Sequence, residues 1–450
     1  MAPSGPQAFP DRVYGLLVED EDARVCRDIP DSACNEQPRA FLLQWLAQTL
    51  TKIGDTLTSS RLVLAWMLAA LGTPPFFVAL LVPVRESLSL LPQLFVAQWV
   101  REHALRKFFW VWGSVAQGLA LLGMMVAVLL LEGASLGWAV VVLLACFSLA
   151  RGVCSIAAKD VLGKTVSKSR RGRLTGLAAA AAGAIVLLLA LALLVFPDYI
   201  DSQGNAGAGL FAGILAAAAC LWFLAAAVYA GVPELPGATS GGGNAFAEAL
   251  RSLTLLYTDV QLRRFVIARA LLVSTAFAIP YLVVLVQRAA ETQILSFAAL
   301  LVAEGAAALL SAAFWGRWSD SGAHHVMAAA AALATLAVAV AVTLQLVNPA
   351  ILGHGLMGAV LVFTAAVAHQ GARVGRKTYL VDMASGENRA QYTAVSNTAM
   401  GVLLFAGVGL GVIEAACSIV AVLALLMAAG ILATYRCLRL PSVSGCIPPC

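Results

Sequence analysis

The chain has 450 residues, of which 61% are apolar and 12% are charged, and its formal net charge is +5. Soluble domains carry about 25% charged residues, so this composition excludes a water-soluble fold that screens its apolar surface with charge. Apolar runs of about 20 residues recur, and each can cross about 30 Å of hydrocarbon as a helix. Because the runs are too long and too rarely alternating for barrel strands, we predict an all-α, multi-pass membrane protein.

The first 40 residues are polar and include the acidic sequence Glu19-Asp20-Glu21-Asp22. They lack the basic start and short apolar core that together are typical of a cleavable signal peptide. We therefore expect residues 1–43 to form a cytoplasmic tail.

Twelve apolar runs follow this tail, and we predict one membrane-spanning helix in each. A connection at 232–262 divides them into two bundles of six helices, at 44–231 and 263–436, and a tail at 437–450 ends the chain. The connection begins with VPELPGATSGGGN, a flexible composition, and continues with AFAEALRSLTLLYTD, whose apolar spacing suits a helix on the membrane surface. The predicted spans lie near residues 44–68, 76–100, 108–131, 135–157, 171–197, 207–231, 264–287, 293–316, 325–347, 351–374, 389–411 and 413–435.

The basic residues lie in the loops of one parity, whereas the loops of the other parity contain only Arg288. Arg373, Arg376 and Lys377, for example, fall in the predicted loop between spans 10 and 11. The positive-inside rule then places both termini in the cytoplasm, and we expect a bacterial-type plasma (inner) membrane. The net positive charge is explained by this topology and does not imply a nucleic-acid partner.

The two predicted bundles are related by a weak internal repeat. An offset of 218 residues maps Glu86 onto Glu304 and Lys159 onto Lys377. Because six spans return the chain to the same side of the membrane, this repeat is parallel, and the two bundles are expected to be pseudo-symmetric.

The cytoplasmic end of span 8 has the sequence GRWSDSGAHH, in which Gly316 and Asp320 precede two histidines. The matching stretch after span 2, QWVREHALRK, has Glu102 followed by basic residues, although a glutamine replaces the glycine. These sequences resemble the signature of the major facilitator superfamily of secondary transporters, and an arginine in span 4 resembles a second feature of that family. The resemblance implies two rocking bundles and a cytoplasmic gate at Glu102, Arg106, Lys107, Arg151, Gly316 and Asp320.

The carboxylates of this gate could face helix N-termini, where the helix dipole favours negative charge. Such contacts would hold one conformation closed and break when the bundles rock. The alternative is that these are solvated loop charges that only fix the topology.

Charged residues also lie inside the predicted spans, where each costs about 2.5–3.5 kcal/mol to insert. We expect Asp55 to be a partner of Arg85, and Arg61 or Arg269 to be a partner of Glu86. Lys52, three residues before Asp55, can also pair with it on one helix face. The candidate cavity residues are Asp55, Arg61, Arg85, Glu86, Arg269 and Glu304.

Two interpretations of these charges remain open. They form buried ion pairs that set the helix packing, or they line a water-filled cavity in which Glu86 and Glu304 carry protons or bind substrate. Together with Lys52, the four cations and three anions would leave such a cavity near electrical balance.

The predicted function is that of a secondary transporter, not an enzyme, that moves a small solute by alternating access with proton coupling. We expect a monomer in contact with membrane lipids, and no cofactor or metal, because the cysteine spacings match no metal site. One alternative is an intramembrane lipid-modifying enzyme, for which His369 and Asp382 are the loose candidates for a catalytic pair. Another is a transporter-like sensor that uses the acidic tail.

Overall fold

The computed structural model describes residues 31–91, 99–100, 102–195, 207–236, 253–290, 293–384 and 389–443. All regular elements among these residues are α-helices, which confirms the predicted all-α class. The helices of the first half are α1 (Asp31–Asn35), α2 (Gln37–Leu57), α3 (Val63–Ala70), α4 (Pro75–Leu90), α5 (Lys107–Leu130), α6 (Gly133–Thr165), α7 (Lys168–Val195) and α8 (Ala208–Ala230).

The second half is also helical throughout its described residues. Its helices are α9 (Leu255–Thr258), α10 (Val260–Leu271), α11 (Ser274–Ala289), α12 (Gln293–Val347), α13 (Ala350–Gly353), α14 (Gly355–Met383), α15 (Arg389–Phe405), α16 (Val408–Ala416) and α17 (Ile419–Leu438).

Within the described residues, nine helices are long and apolar enough to cross a membrane, and Leu295–Ser311 is a shorter apolar helix. The chain is therefore a multi-pass integral membrane protein, while the count of twelve spans stays a prediction. The first predicted span is divided between α2 and α3. Predicted spans 8 and 9 are joined in α12, whose helical conformation is interrupted at Gly322.

Large apolar side chains are exposed along the outer faces of helices in both halves. Water would disfavour such a surface, but the acyl chains of a bilayer solvate it. Examples are Trp112 on α5, Leu188 on α7, Leu310 on α12 and Ile431 on α17.

The helices of each half pack mainly against one another, and the halves meet along a few helix pairs. Helix α4 contacts α15 and α16, α7 contacts α12, and α3 contacts α11. The α4 contacts with α15 and α16 join predicted spans 2 and 11, and the α7 contact with α12 joins spans 5 and 8. The internal repeat maps spans 2 and 11 onto spans 8 and 5, so the two contacts are equivalent, as expected for two pseudo-symmetric bundles.

At one end of the molecule, both halves contribute to a single hydrophobic core. This core contains Trp66 of α3 and Phe297 of α12, whose ring centroids lie 5.6 Å apart. Close packing of α16 on α4 extends the same contact, since a methyl group on Gly411 would lie 2.7 Å from the Ala79 Cβ. We call this region the apolar seal.

At the opposite end, the described residues of the two halves form separate cores. Ala47, Trp110 and Tyr229 belong to a core of the first half, whereas Phe265 and Tyr379 belong to a core of the second. The halves are thus joined at the apolar seal and separate from each other toward the end where α2 begins and α17 ends.

Candidate functional site

A cavity of about 450 Å³ lies between the two halves and is lined by charged side chains from both. All six candidate cavity residues line it. Five further basic residues and one histidine also line it. Arg151 was predicted at the gate, Arg373, Arg376 and Lys377 in a loop, His369 in a catalytic pair, and Lys52 among the charges embedded in the spans.

Two ion pairs of the first half confirm the partners expected from the sequence. Arg61 Nη2 lies 2.7 Å from Glu86 Oε1, and Arg85 Nη2 lies 2.9 Å from Asp55 Oδ1. Arg151, on α6, also donates a hydrogen bond to Asp55 Oδ1. Asp55 therefore holds α2 to α4 and α6 through two arginines.

The guanidinium of Arg85 is further fixed by an aromatic ring of α6. Its Cζ atom lies 4.8 Å from the centroid of the Phe147 ring, a distance typical of a cation–π contact. The first half thus holds its arginines in place through both ion pairs and packing, so the two interpretations of these charges are compatible. The ion pairs set the helix packing and at the same time line the cavity.

Arg269, on α10, has neutral partners. It donates hydrogen bonds to Ser396 Oγ at 2.6 Å and to Asn397 Oδ1 at 3.0 Å, both on α15. Within the described residues it forms no ion pair, so the partner of Glu86 is Arg61. The hydroxyl and the amide orient the guanidinium without neutralising its charge.

Glu304, on α12, differs from Glu86 although the repeat makes the two residues equivalent. Its Oε2 atom is buried and lacks a hydrogen-bond partner in the described part of the chain. Ser59 and the positive charge of Arg61 are its interacting groups across the cavity. Glu304 thus contributes a carboxyl group that no described residue holds in an ion pair.

Helix α14 brings to the cavity a row of basic side chains that were predicted to lie in a loop. Arg373 is at the predicted end of the span near residue 374, and Arg376 and Lys377 lie on the same helix because it continues to Met383. The cavity lining therefore contains eight arginine and lysine residues against three carboxylates. The expected electrical balance is wrong, and the cavity is strongly positive.

His369 lies one turn before these cations and is buried. Its Nδ1 atom lies 3.3 Å from Thr275 Oγ1, and its Nε2 atom is buried with no partner among the described residues. Asp382 is on the same helix, about 20 Å further along its axis at 1.5 Å per residue. His369 and Asp382 therefore do not form the catalytic pair that a lipid-modifying enzyme would need.

Two predicted gate residues, Arg106 and Lys107, lie in a charged cluster at the start of α5. Their backbone N–H groups donate to the carboxylate of Glu234, at 2.9 Å and 2.7 Å. The Arg106 guanidinium also pairs with Asp160, and the Lys164 ammonium bridges Asp160 and Glu234, at 2.9 Å and 3.1 Å. Glu234 caps the N-terminus of α5, where the helix dipole favours a negative charge.

Neither carboxylate of this cluster, Asp160 or Glu234, was among the residues predicted from the sequence. Asp160 precedes Lys164 by four residues on a helix, a spacing that could have indicated the pair. Glu234 gave no local signal, because its partners in α5 are more than a hundred residues away in the chain.

The other gate residues are placed as follows. Arg151 lines the cavity, Glu102 lies on the surface before α5, and Gly316 lies in α12, where a methyl group in place of its hydrogen would have no described atom within 4 Å. The Asp320 side chain lies outside the described residues. The gating role of these residues stays a prediction.

The described residues contain no group of three histidine, cysteine or acidic side chains that could hold a metal ion. No family model matches the sequence. No curated protein matches it either.

Several solved transporter structures match the fold over almost its full length. A D-xylose–proton symporter is 14% identical with a TM-score of 0.69, covering 90% of this chain and 98% of its own. The nucleoside transporter NupG is 12% identical with a TM-score of 0.63, covering 89% and 99%. The xylose transporter XylE from E. coli, in an inward-open conformation, is 12% identical with a TM-score of 0.64, covering 90% and 96%. The chain therefore has the fold of the major facilitator transporters.

Proposed function

We propose that this protein is a secondary transporter that moves a small solute across the membrane by alternating access. The observation that carries the proposal is the charged cavity between two halves that share a core at one end only. An arrangement of this kind gives a solute access from one side, and rocking of the halves about the cavity would give access from the other. The transporter fold supports the same proposal.

The basic loops favour an orientation in which the open end of the cavity faces the cytoplasm. Both termini would then lie in the cytoplasm, and the apolar seal would face the outside of a plasma membrane of the bacterial type. We further propose two bundles at 44–231 and 263–436 in a monomer. The connection 232–262 would allow them to move, while its first residues remain attached to the first bundle through Glu234.

Coupling to protons is assigned to Glu304 in this proposal. Protonation of Glu86 would break its ion pair with Arg61, whereas protonation of Glu304 breaks no ion pair of the described residues. Breaking a buried pair leaves an uncompensated charge, which is strongly destabilising. Glu304 can therefore gain and lose a proton at the lower structural cost, with Glu86 as a fixed structural partner.

A transport assay tests both parts of the proposal. The full chain would be reconstituted in liposomes loaded with a pH-sensitive dye, and a panel of solutes would be added under an imposed pH gradient. We expect at least one solute to move protons with it, and Glu304→Gln to abolish that proton movement. The matched control is Glu132→Gln, which removes an exposed carboxyl at the start of α6.

Full proton-driven uptake by Glu304→Gln would contradict the coupling role. Saturable uptake that ignores the pH gradient would retain the transporter but remove the proton. The absence of uptake for every solute of the panel, in a protein that is folded by its thermal unfolding, would count against transport itself.

A further inference from the structure

Most cations of the cavity form no ion pair with a carboxylate of the described residues. Asp55 is shared by Arg85 and Arg151, and Glu86 is paired with Arg61, so two of the three carboxylates are already neutralised. In the described part of the chain, five cavity cations form no ion pair. They are Lys52, Arg269, Arg373, Arg376 and Lys377.

Lys52 of the first half and the four cations of the second half line the same cavity. Arg373, Arg376 and Lys377 have the spacing of neighbours on one helix surface, three and four residues apart. The charge of Arg373 interacts with those of Arg61 and Arg151 in the first half, and the charge of Lys377 interacts with that of Lys52. Glu86 and Asp55 of the first half attract the charge of Arg373, and Glu86 attracts that of Arg376, but eight cations face three carboxylates. The cavity therefore keeps a surplus of positive charge, and the cations of the two halves repel one another across it.

An uncompensated cation in a cavity between membrane helices is unfavourable, and proteins normally pair or hydrate such charges. Arg373 and Lys377 are exposed to the water of the cavity, whereas Arg269 is buried and oriented by Ser396 and Asn397. A fixed guanidinium beside mobile cations can bind a carboxylate or phosphate through two parallel hydrogen bonds.

We propose that the transported solute is a small organic anion with at least two negative charges, on carboxylate or phosphate groups. Arg269, Arg373 and Arg376 of the second half bind it, with Lys52 of the first half and Lys377 as further cationic contacts. This inference rests on the proposed transport function and adds the chemical class of the solute. The cavity volume of about 450 Å³ suits a metabolite-sized molecule.

Binding of the anion also favours the closed state of the transporter. Closing the open end brings the cations of the two halves together, which their repulsion opposes when the cavity is empty. An anion between Lys52 and the α14 cations offsets that repulsion, so it binds the closed state more tightly than the open state and shifts the population toward it. A neutral solute would not relieve the repulsion, and a cationic solute would increase it.

The phosphate of a lipid headgroup shares this chemistry with a soluble anion. We assign the site to a soluble anion, because the cationic row lies inside the cavity between the halves and not on the lipid-facing surface. A test with membranes of defined charge separates the two sources.

The experiment measures the thermal unfolding of the full chain in phosphatidylcholine nanodiscs at constant ionic strength. The added probes are succinate, citrate, glycerol 3-phosphate and inorganic phosphate, with xylose and choline as neutral and cationic probes. We expect at least one organic anion to raise the unfolding midpoint in a saturable manner, with no effect of xylose or choline. Arg373→Gln and Arg376→Gln are expected to weaken its apparent binding about tenfold to a hundredfold, as loss of a charge-assisted hydrogen bond implies.

Arg436→Gln is the matched control, since Arg436 is an exposed arginine near the end of α17 and does not line the cavity. It should bind the anion as the unchanged protein does. If one arginine variant does not fold, Lys377→Gln provides a second test at an exposed position of the same row.

The outcomes separate this inference from the proposed function. Saturable uptake of xylose or choline, unchanged in the arginine variants, would support the transport function and would contradict the proposal that the solute is an anion. Anion binding that depends on Arg373 and Arg376 without any uptake would support the site and overturn transport. The inference would be overturned if no anion shifted the unfolding midpoint, or if an anion shifted it in both arginine variants as much as in the unchanged protein. It would also be overturned if only phosphatidylglycerol in the nanodisc produced a shift.

Discussion

Glu86 and Glu304 occupy equivalent positions in the internal repeat, but of the two only Glu86 forms an ion pair with the residues that the structure describes. Glu86 accepts a hydrogen bond from Arg61 at 2.7 Å, whereas Oε2 of Glu304 is buried without a partner among the described residues. The same residue type at equivalent positions of the repeat thus has two different surroundings. In the first half it is paired across the contact between α4 and the break after α2, and in the second half it forms no ion pair with the described residues.

This difference predicts unequal effects of the same substitution. Glu86→Gln leaves the Arg61 charge without its partner, so we expect the free energy of unfolding to fall by about 1–3 kcal/mol, less than for a fully buried pair because both side chains are partly exposed. Glu304→Gln breaks no ion pair of the described residues and an amide can keep the contact with Ser59, so we expect it to change stability by less than about 1 kcal/mol, the worth of one hydrogen bond. Denaturant unfolding of both variants in one detergent measures the difference. Equal losses in the two variants would show that Glu304 has a structural partner of comparable strength.

The ion pairs at Asp55 and Glu86 could be predicted from the sequence because charges are scarce in the spans. Each embedded charge needs an opposite charge on a neighbouring helix, and few candidates exist. The placement of Arg373, Arg376 and Lys377 could not be predicted in this way. Hydropathy ends a span where apolar residues end, but a water-filled cavity allows a helix to continue with charged residues, as α14 does to Met383.

The capping role of Glu234 also could not be predicted from the sequence. A carboxylate in a loop has many possible partners, and only the folded chain brings it to the first N–H groups of α5. The pairing of the two halves at the apolar seal has the same origin, because apolar runs predict burial in lipid and burial in protein equally well. Composition and the apolar runs therefore predicted the all-α membrane class, while the contacts between distant segments required the structure.

Glu234 provides a prediction about the stability of the first half. Glu234→Gln removes the negative charge that caps α5 and that binds Lys164, and its side chain is fully buried. We expect a loss of about 1–2 kcal/mol in the free energy of unfolding, in line with the loss of a helix cap. Thermal or denaturant unfolding would measure the loss, with Glu132→Gln as the exposed control. An unchanged stability would mean that water or the amide replaces these contacts.

Asp259 gives a prediction about pH at the start of α10. Burial raises the pKa of this carboxyl, but hydrogen bonds from the Tyr392 hydroxyl and from the N–H groups of Leu262 and Gln261 outweigh burial and leave the pKa below its usual value. A lowered pKa in the folded state contributes stability above the unfolded value, near pH 3.9, and loses it as the pH falls through the folded value.

Tyr392→Phe removes one of these hydrogen bonds and isolates its contribution. The variant should be less stable than the unchanged protein by about 1 kcal/mol at pH 7, and the gap should narrow below about pH 4 as Asp259 becomes protonated. Unfolding measured at pH 7 and pH 3 in the same detergent gives the two gaps. A gap that does not change with pH would show that Tyr392 contributes by packing and not through the carboxylate.

The apolar seal makes a prediction that distinguishes two glycines of the same helix. Gly411 of α16 lies against Ala79 and Phe76 of α4, so a larger side chain there must push the halves apart, whereas Gly409 has no described atom within 4 Å of a methyl position. We expect Gly411→Val to reduce transport severalfold and to destabilise the protein by about 1–3 kcal/mol, the usual cost of overpacking. Gly409→Val should leave transport unchanged and should alter the free energy of unfolding only by the difference in helix propensity between glycine and valine, because its side chain would point into open space. Uptake and thermal unfolding measured on both variants test this prediction. In the proposed mechanism the halves must separate at the seal to expose the cavity to the outside. A Gly411→Val protein with normal uptake and normal stability would therefore show that transport does not depend on the geometry of the contact between α4 and α16.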